Sequence, residues 1–445
     1  MTADKVLPQG FELSVEKKPI AITEIIFHKR PHLDEVAGEQ LLRRYGESLF
    51  PGVKTAKLSF VEGEIVETET ELDAAGKLPV GLGRECRFNE HRDNEDDETE
   101  RLSEECAATL VAKYLKITEN PELKRLLDDI LFCDSKAECS PTMIAEVIKV
   151  DNRRRSGNTT EVITWAKIAL DAIIEFEPHA KDEKPNGKSL SYFYKKWADD
   201  RGIQNDNIAK RLDTNIRQSE ARKGERVIEL AHIVDALMAV RGDTPETEEF
   251  ISDWLLYAFE AMVIDQMDFW KQVRQARNTE CIGVAAEING EDCVLRLMVI
   301  ESDSQNAQKA ARYVGCDVAL IRSSSGNVQI FTNGKKEGID LTSVVRMIRI
   351  AECYFRFSGI WKLWPEFSCA GTHRVVKKWY YFKKAQMLFN GSSTVEKAPT
   401  RLSTQFLVYV LCNGFHPTLT TQWCKPESAE KWRLHLPYLR RMKRR

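Results

Sequence analysis

The pattern of apolar and polar positions divides the chain into two α/β segments with a long helical segment between them. Residues 20–28, IAITEIIFH, are rich in β-branched side chains and predict a strand. After a short polar loop, apolar side chains recur at helical spacing from Asp34 to Tyr45. A strand, a loop and a helix together form the first half of a βαβ unit.

The rest of the first segment continues this alternation as far as residue 150. Short apolar runs predict strands at 56–66 and 78–83, and helical spacing predicts helices at 107–115, 122–133 and 142–150. The stretch 87–100 is highly polar and predicts a long loop. We therefore assign residues 1–150 to one α/β domain.

Residues 162–277 are helical almost throughout, with amphipathic stretches at 227–240 and 250–267. We interpret residues 151–277 as a helical insert or connector. Three roles stay open for it, namely capping a cleft, forming a homodimer or binding another partner.

A second α/β segment begins near Cys281. The predicted strands are 294–300, 317–322 and 328–332, and the predicted helices are 304–313 and 341–353. We assign residues 278–400 to a smaller α/β domain and 401–445 to an extension with a basic tail. The predicted fold class is α/β, with an N-terminal doubly wound, mostly parallel sheet.

The amino-acid composition is that of an ordinary globular protein and indicates no particular function. Of the 445 residues, 42% are hydrophobic and 30% charged, and the net charge of −3 indicates neither nucleic acid nor membrane as a partner. No apolar run approaches the roughly 18–20 residues of a membrane span, and residues 1–9 do not resemble a signal peptide. Eleven scattered cysteines favour reduced thiols, Cys133 and Cys139 included, in a cytoplasmic protein.

The first candidate site is the loop after the first predicted strand. His28, His32 and Asp34 fall within seven residues, and ligands bind beyond the carboxyl ends of strands in such sheets. These side chains suit a divalent ion such as Mn²⁺, Fe²⁺ or Zn²⁺. The alternative is a polar helix cap with Asp34 and one histidine exposed.

Two further candidates follow. In Asn89-Glu90-His91, Glu90 could bind a metal and His91 could donate a proton or contact a phosphate oxygen. Asp134 follows an apolar run and could face a cleft as a ligand. Without further context, the first of these is a polar loop and Asp134 is a residue near the end of a helix.

Taken together, the three segments resemble the DHH phosphoesterase superfamily, and within it the melanocyte-proliferating-gene (MYG) exonuclease family. FHKRPHLDEVAGEQLL is similar to the MYG first motif, with His28, His32 and Asp34 at its metal-binding positions. Asn89-Glu90-His91 falls where the Asp-His-His motif belongs, and Asp134 matches the final acid. The stretch 324–330 looks like the family's glycine-containing substrate-binding stretch.

The resemblance implies a divalent-metal-dependent hydrolase with one or two ions, commonly Mn²⁺, acting on nucleic acid ends or small nucleotides in a cleft between two domains. The implied metal ligands are the following: His28, His32, Asp34, Glu90 and Asp134. Catalytic roles fall to Asp34 and His91. Substrate binding falls to Arg92 and to Ser325, Gly326 and Asn327.

The sequence also departs from the family at several positions. His32 replaces the first acid of the first motif, Gly81 stands where the second motif has a bridging aspartate, and Asn89-Glu90 replace the acid and the first histidine of Asp-His-His. These changes leave open a single metal ion, a different metal, or a catalytically degenerate protein that binds nucleotides or nucleic acid through Arg153-Arg154-Arg155 and the basic tail. A third hypothesis is a zinc site in which Cys86 or Cys133 joins the two histidines.

Overall fold

The structure is a computed structural model, and the residues it describes are 18–61, 65–83, 86–90, 105–136, 139–155, 158–180, 187–203, 207–354, 366–391 and 398–416. The architecture is α/β, as the sequence predicts. A small parallel sheet with helices is followed by a helical region and then by a mixed-sheet unit.

The elements follow the chain in three groups. The N-terminal group consists of β1 (Glu24–His28), α1 (Leu33–Tyr45), β2 (Lys57–Val61), α2 (Glu69–Ala74), β3 (Lys77–Pro79) and α3 (Ala107–Leu115). The helical group consists of α4 (Pro121–Lys136), α5 (Ile144–Arg154), α6 (Thr159–Phe176), α7 (Leu190–Asp200), α8 (Asn207–Arg222), α9 (Leu230–Arg241) and α10 (Pro245–Arg277). The C-terminal group consists of β4 (Cys281–Ile288), β5 (Glu291–Glu301), α11 (Asn306–Tyr313), β6 (Val318–Arg322), β7 (Val328–Thr332), α12 (Thr342–Tyr354), β8 (Gly371–His373), β9 (Val376–Phe382), β10 (Met387–Asn390) and α13 (Thr404–Gly414).

The N-terminal sheet has β1 at its centre, with β2 and β3 parallel on either side. All three strands therefore end at the same edge. His28 is the last residue of β1, and Gly81 follows β3 by two residues. This arrangement brings the two loops that carry the predicted motifs to one side of the sheet, where ligands bind in open parallel sheets.

The N-terminal sheet and the helical region share one hydrophobic core. A single cluster of buried side chains runs from Ile22 in the segment before β1 to Met262 in α10. Trp165 of α6 and Trp254 of α10 stack within it at 4.9 Å between ring centroids. Each indole nitrogen donates to the other residue's carbonyl oxygen, at 2.8 and 3.1 Å. The helices that we predicted as an insert therefore complete the core of the first unit.

Among the residues that the structure describes, the C-terminal sheet has seven strands in the order β4-β5-β6-β7-β10-β9-β8, in which β5 and β6 are parallel and the other neighbours are antiparallel. Helices α12 and α13 pack in the core on one face. Helix α11 and Ala276 near the end of α10 pack in the core on the other. Our prediction of three strands in this segment omitted β4, β8, β9 and β10, and the last three of these lie in an aromatic-rich stretch whose pattern indicates no clear element.

Within the described part of the chain, no helix combines the length and the apolar character that crossing a membrane requires.

Candidate metal centre

Three carboxylates from distant parts of the chain meet at one point. Asp34 lies in the first turn of α1, Glu90 in the loop after β3, and Asp134 near the end of α4. One oxygen of each lies within 4.8 Å of the others. Asp34 and Glu90 are buried, and Asp134 is half-buried. Carboxylates held this close repel one another unless a proton or a cation lies between them.

The N-terminal end of α3 points at this carboxylate group. The backbone N–H of Ala107, the first residue of α3, donates to Oδ2 of Asp34 at 3.4 Å. The positive end of the helix dipole thus partly offsets the charge on Asp34.

Cys106, immediately before α3, is fully buried beside the same group. Burial raises the pKa of its thiol to about 12, and the charges of Asp34 and Glu90 act in the same direction. The thiol is therefore neutral at physiological pH.

His28 contacts a fourth carboxylate, that of Glu35, at 2.7 Å between Nδ1 and Oε1. Burial of the His28 ring favours its neutral form, but the hydrogen bond to Glu35 and the charges of Glu35, Asp34 and Glu90 outweigh burial and raise its pKa. Burial also raises the pKa of Glu35, against the opposing effect of His28. One proton is thus held between these two side chains.

His32 lies elsewhere than we predicted. Its side chain is exposed at the start of α1, and its backbone N–H donates to Oε2 of Glu35 at 2.7 Å. Among the described residues, the three-carboxylate group includes neither His32 nor His28. His32 therefore matches the histidine of the helix-cap alternative, whereas Asp34, which that alternative also exposes, is buried.

Helices α5 and α6 hold the loop between His28 and His32 in place. Asn152 Nδ2 donates to the carbonyl oxygen of Pro31 at 2.8 Å, and Thr159 Oγ1 donates to that of Lys29, also at 2.8 Å. The helical region thus fixes the backbone of the first motif.

Gly81 and Asn89, two positions where the sequence departs from the motifs that it resembles, have structural roles. Asn89 is buried, and its Nδ2 donates to the carbonyl oxygen of Gly83 at 2.8 Å, which closes the loop before Glu90. Gly81 lies against the side chain of Glu35. The missing acids are therefore not replaced at their own positions.

The predicted substrate-binding residues are only partly described. His91 and Arg92 lie outside the described residues. Ser325, Gly326 and Asn327 form the turn between β6 and β7, and Gly326 has a positive φ of 87°. Asn327 Nδ2 donates to the carbonyl oxygen of Asn390, so its amide ties this turn to β10.

The three consecutive arginines after Asn152 already have acidic or polar partners. Arg153 donates to Gln305 at 2.7 Å, Arg154 is paired with Glu260, and Arg155 with Glu161 at 3.0 Å. These charges join α5 to neighbouring helices and to the C-terminal unit, and contact of this run with phosphate stays a prediction.

Cys133 and Cys86, the two cysteines of the zinc hypothesis, contact other cysteine or apolar side chains. Cys133 and Cys139 are joined as a disulfide, with Cα atoms 5.4 Å apart, which corrects our expectation of reduced thiols at these two positions. Cys86 packs in a small apolar cluster with Ile26, Leu72 and Leu82.

A second group of possible ligands is formed by Glu287, Asp292 and His416 at the β4–β5 hairpin. Its carboxylates are exposed to solvent, and His416 Nε2 lies 3.3 Å from Asp292 Oδ1. Exposed groups of this kind are well solvated without an ion.

Glu35 and Cys106 are the two members of the site that we did not predict. Glu35 occupies the first turn of α1, where an acid is ordinarily explained by the helix dipole. No sequence pattern around Cys106 predicts a place in the site, since a buried cysteine behaves as a small apolar residue.

Comparison with known proteins gives no family for the chain. No known family matches it, and no curated protein matches it. Similar solved structures include that of an uncharacterized protein from Helicobacter pylori G27, with 12% identity over 73% of this chain and 89% of that chain and a TM-score of 0.22. A likeness this weak carries no argument about fold or function.

Proposed function

We propose that the chain is a divalent-metal-dependent phosphoesterase of the DHH and MYG type, which hydrolyses phosphodiester bonds of nucleic acid ends or small nucleotides. The observation that supports this most is the convergence of Asp34, Glu90 and Asp134 within 4.8 Å. The resemblance singled out these same three acids as ligands, and they lie far apart in the sequence.

The donor set fits a hard cation. Three carboxylate oxygens suit Mn²⁺ or Mg²⁺ better than a thiolate-preferring metal. Since Gly81 supplies no bridging acid, the proposal is for a single ion, with Mn²⁺ as the metal to test first. An ion held by these three carboxylates would supply Lewis-acid polarisation of a phosphoryl oxygen.

Side chains of the protein would transfer the proton and bind the substrate. The His28–Glu35 pair holds a proton beside the carboxylate group. His91 remains the proposed proton donor, and Arg92 with the turn at Ser325, Gly326 and Asn327 the proposed substrate contacts. Asp34 and Glu90 are buried, which would limit the access of bulk water to an ion held there.

The direct test measures metal content and hydrolysis of a generic phosphodiester with Mn²⁺. We expect Asp134→Asn to lower the rate by about 100-fold or more, the size found when a group that stabilises a transition state is lost. Asp128→Asn changes an exposed acid on the same helix and should leave the rate unchanged. Absence of both bound metal and turnover in the wild type, or equal rates in the two variants, contradicts the proposal.

The alternative is a catalytically degenerate protein that binds nucleotides or nucleic acid. It is favoured by the absence of an acid at Gly81 and by the structural role of Asn89. Because Arg153, Arg154 and Arg155 are already ion-paired, phosphate contacts through this run would compete with their acidic partners. This alternative predicts binding that weakens steeply with salt and proceeds without turnover.

Two further elements belong to the same proposal. We place the protein in the cytoplasm, on the basis of its ordinary composition and of the eight described cysteines that form no disulfide. The homodimer stays a prediction, which light scattering of the purified full chain tests directly.

A further inference from the structure

One buried carboxylate joins both ends of the His28–His32 loop. Glu35 is 4% exposed and accepts at each of its oxygens. Oε1 lies 2.7 Å from His28 Nδ1, and Oε2 accepts the backbone N–H of His32 at 2.7 Å. A buried carboxylate with both oxygens engaged fixes the geometry of its partners.

The space for this carboxylate exists because position 81 has no side chain. A β-carbon placed on Gly81 would lie 2.5 Å from Glu35 Cγ and 2.8 Å from Oε1. The backbone there cannot simply retreat, since the N–H of Gly81 donates to the carbonyl oxygen of Phe88 at 2.9 Å. Gly81 also has a φ of +73°, a conformation that favours glycine.

We propose that Glu35 is a positioning residue that fixes the His28 ring beside the three-carboxylate group, supplying from α1 the buried carboxylate that position 81 lacks. This inference rests on the proposed function for its role in metal binding. The Glu35–His28 pair corresponds to the first two members of a carboxylate–histidine–metal arrangement, in which an outer acid orients the histidine ring and selects its tautomer. Because Nδ1 is bonded to Glu35, Nε2 is the ring nitrogen that would bind a metal ion.

The first arm of the test needs no metal. Nitrogen-15 spectra of the histidine side chains at alkaline pH report which ring nitrogen carries the proton. We expect a single tautomer of His28 in the wild type, protonated at Nδ1, and a mixture in Glu35→Ala. Glu39→Ala is the matched control, because Glu39 is a fully buried glutamate on the same helix, paired with Arg43 and Lys167. An unchanged His28 tautomer in Glu35→Ala overturns the inference.

The second arm titrates the full-length protein with Co²⁺, whose visible absorption reports the ligand geometry. We expect Glu35→Ala to bind Co²⁺ about 10- to 100-fold more weakly, the usual effect of losing an outer partner of a metal-binding histidine, whereas Glu39→Ala keeps wild-type affinity. Equal affinity in wild type and Glu35→Ala contradicts the inference.

The two arms separate this inference from the proposed function. If the wild type binds no Co²⁺ but His28 changes from one tautomer to a mixture in Glu35→Ala, the metal-dependent function fails and the positioning role stands. If the wild type binds Co²⁺ and hydrolyses a phosphodiester while Glu35→Ala behaves as Glu39→Ala in both arms, the function stands and the positioning role fails.

Discussion

Asn152 of α5 donates a hydrogen bond to the carbonyl oxygen of Pro31 at 2.8 Å, so the helical region directly supports the loop that carries the first motif. Both residues are buried. This contact connects the stability of the helices to the geometry of the candidate metal centre.

Asn152→Ala should therefore weaken both stability and metal binding. Leaving the Pro31 carbonyl without this buried donor costs about 1–3 kcal/mol in the free energy of unfolding. Chemical denaturation and Mn²⁺ titration measure the two effects. Asn333→Ala is the control, since it removes a longer bond, of 3.4 Å, from an asparagine amide to the carbonyl oxygen of Cys316 in the C-terminal unit. It should leave Mn²⁺ affinity unchanged, and a parallel loss there would refute the specific link.

Metal ions should stabilise the fold through the three carboxylates. At a free Mn²⁺ concentration of 100 times Kd, binding to the native state adds about 2.7 kcal/mol to the free energy of unfolding. Thermal melts with Mn²⁺ and with a chelator measure this difference. We expect it to vanish in Asp34→Asn and to persist in Asp128→Asn. If the melting temperature of the wild type is the same with Mn²⁺ and with the chelator, the result argues against a metal site at these carboxylates.

Asp151 should make the helical region less stable as pH rises. Burial raises the pKa of Asp151 to about 6, despite the opposing charges of Arg154 and Arg155. The folded state therefore keeps a proton between about pH 4 and 6 that the unfolded chain releases, so stability falls as pH rises through this window. The free energy of unfolding of the wild type relative to Asp151→Asn should drop by about 2–3 kcal/mol from about pH 4 to pH 7.

His373 should have the opposite effect on the C-terminal sheet. Burial lowers the pKa of His373 to about 4, and Arg349 acts in the same direction. His373 Nδ1 accepts the backbone N–H of Val375, and the ring stacks on Phe367, so a proton on Nδ1 would break this arrangement.

The unfolded chain takes up this proton near pH 6.5, so stability is lost as pH falls from about 6.5 to 4, by about 3 kcal/mol at most. His373→Gln should remove this dependence, as followed by denaturation at several pH values. His179→Gln changes an exposed histidine and should keep it. A wild type whose stability is flat over this range would show that the His373 proton is not linked to folding.

Much of the fold could be predicted from periodicity, because local patterns are set by burial on one face. Helix α3 and strand β7 have the predicted bounds, and β1, α1 and α5 differ by a few residues. The β4–β5 hairpin was missed, although Asn289 and Gly290 both adopt positive φ in its turn and Asn-Gly is a strong hairpin signal.

The candidate site was harder to predict, because its geometry depends on distant contacts. Asp34 is a candidate ligand from its neighbours alone, because it lies close to His28 and His32 in the sequence. Glu90 and Asp134 are predicted as ligands only from the resemblance to a known family. The role of Glu35 depends on the absence of a side chain at Gly81, and no local pattern around Glu35 shows that. The exposed ring of His32 likewise follows from the path of the loop into α1.

The shared core that runs from Ile22 to Met262 has a consequence for synthesis on the ribosome. The first motif leaves the exit tunnel early, but Asn152, Thr159 and the Trp165–Trp254 pair emerge much later. The apolar surfaces of β1 and α1 therefore stay exposed in the nascent chain until α10 has been translated. We expect chaperones to bind the nascent chain mainly in that interval, and a chain that is terminated before α10 should not reach the folded state.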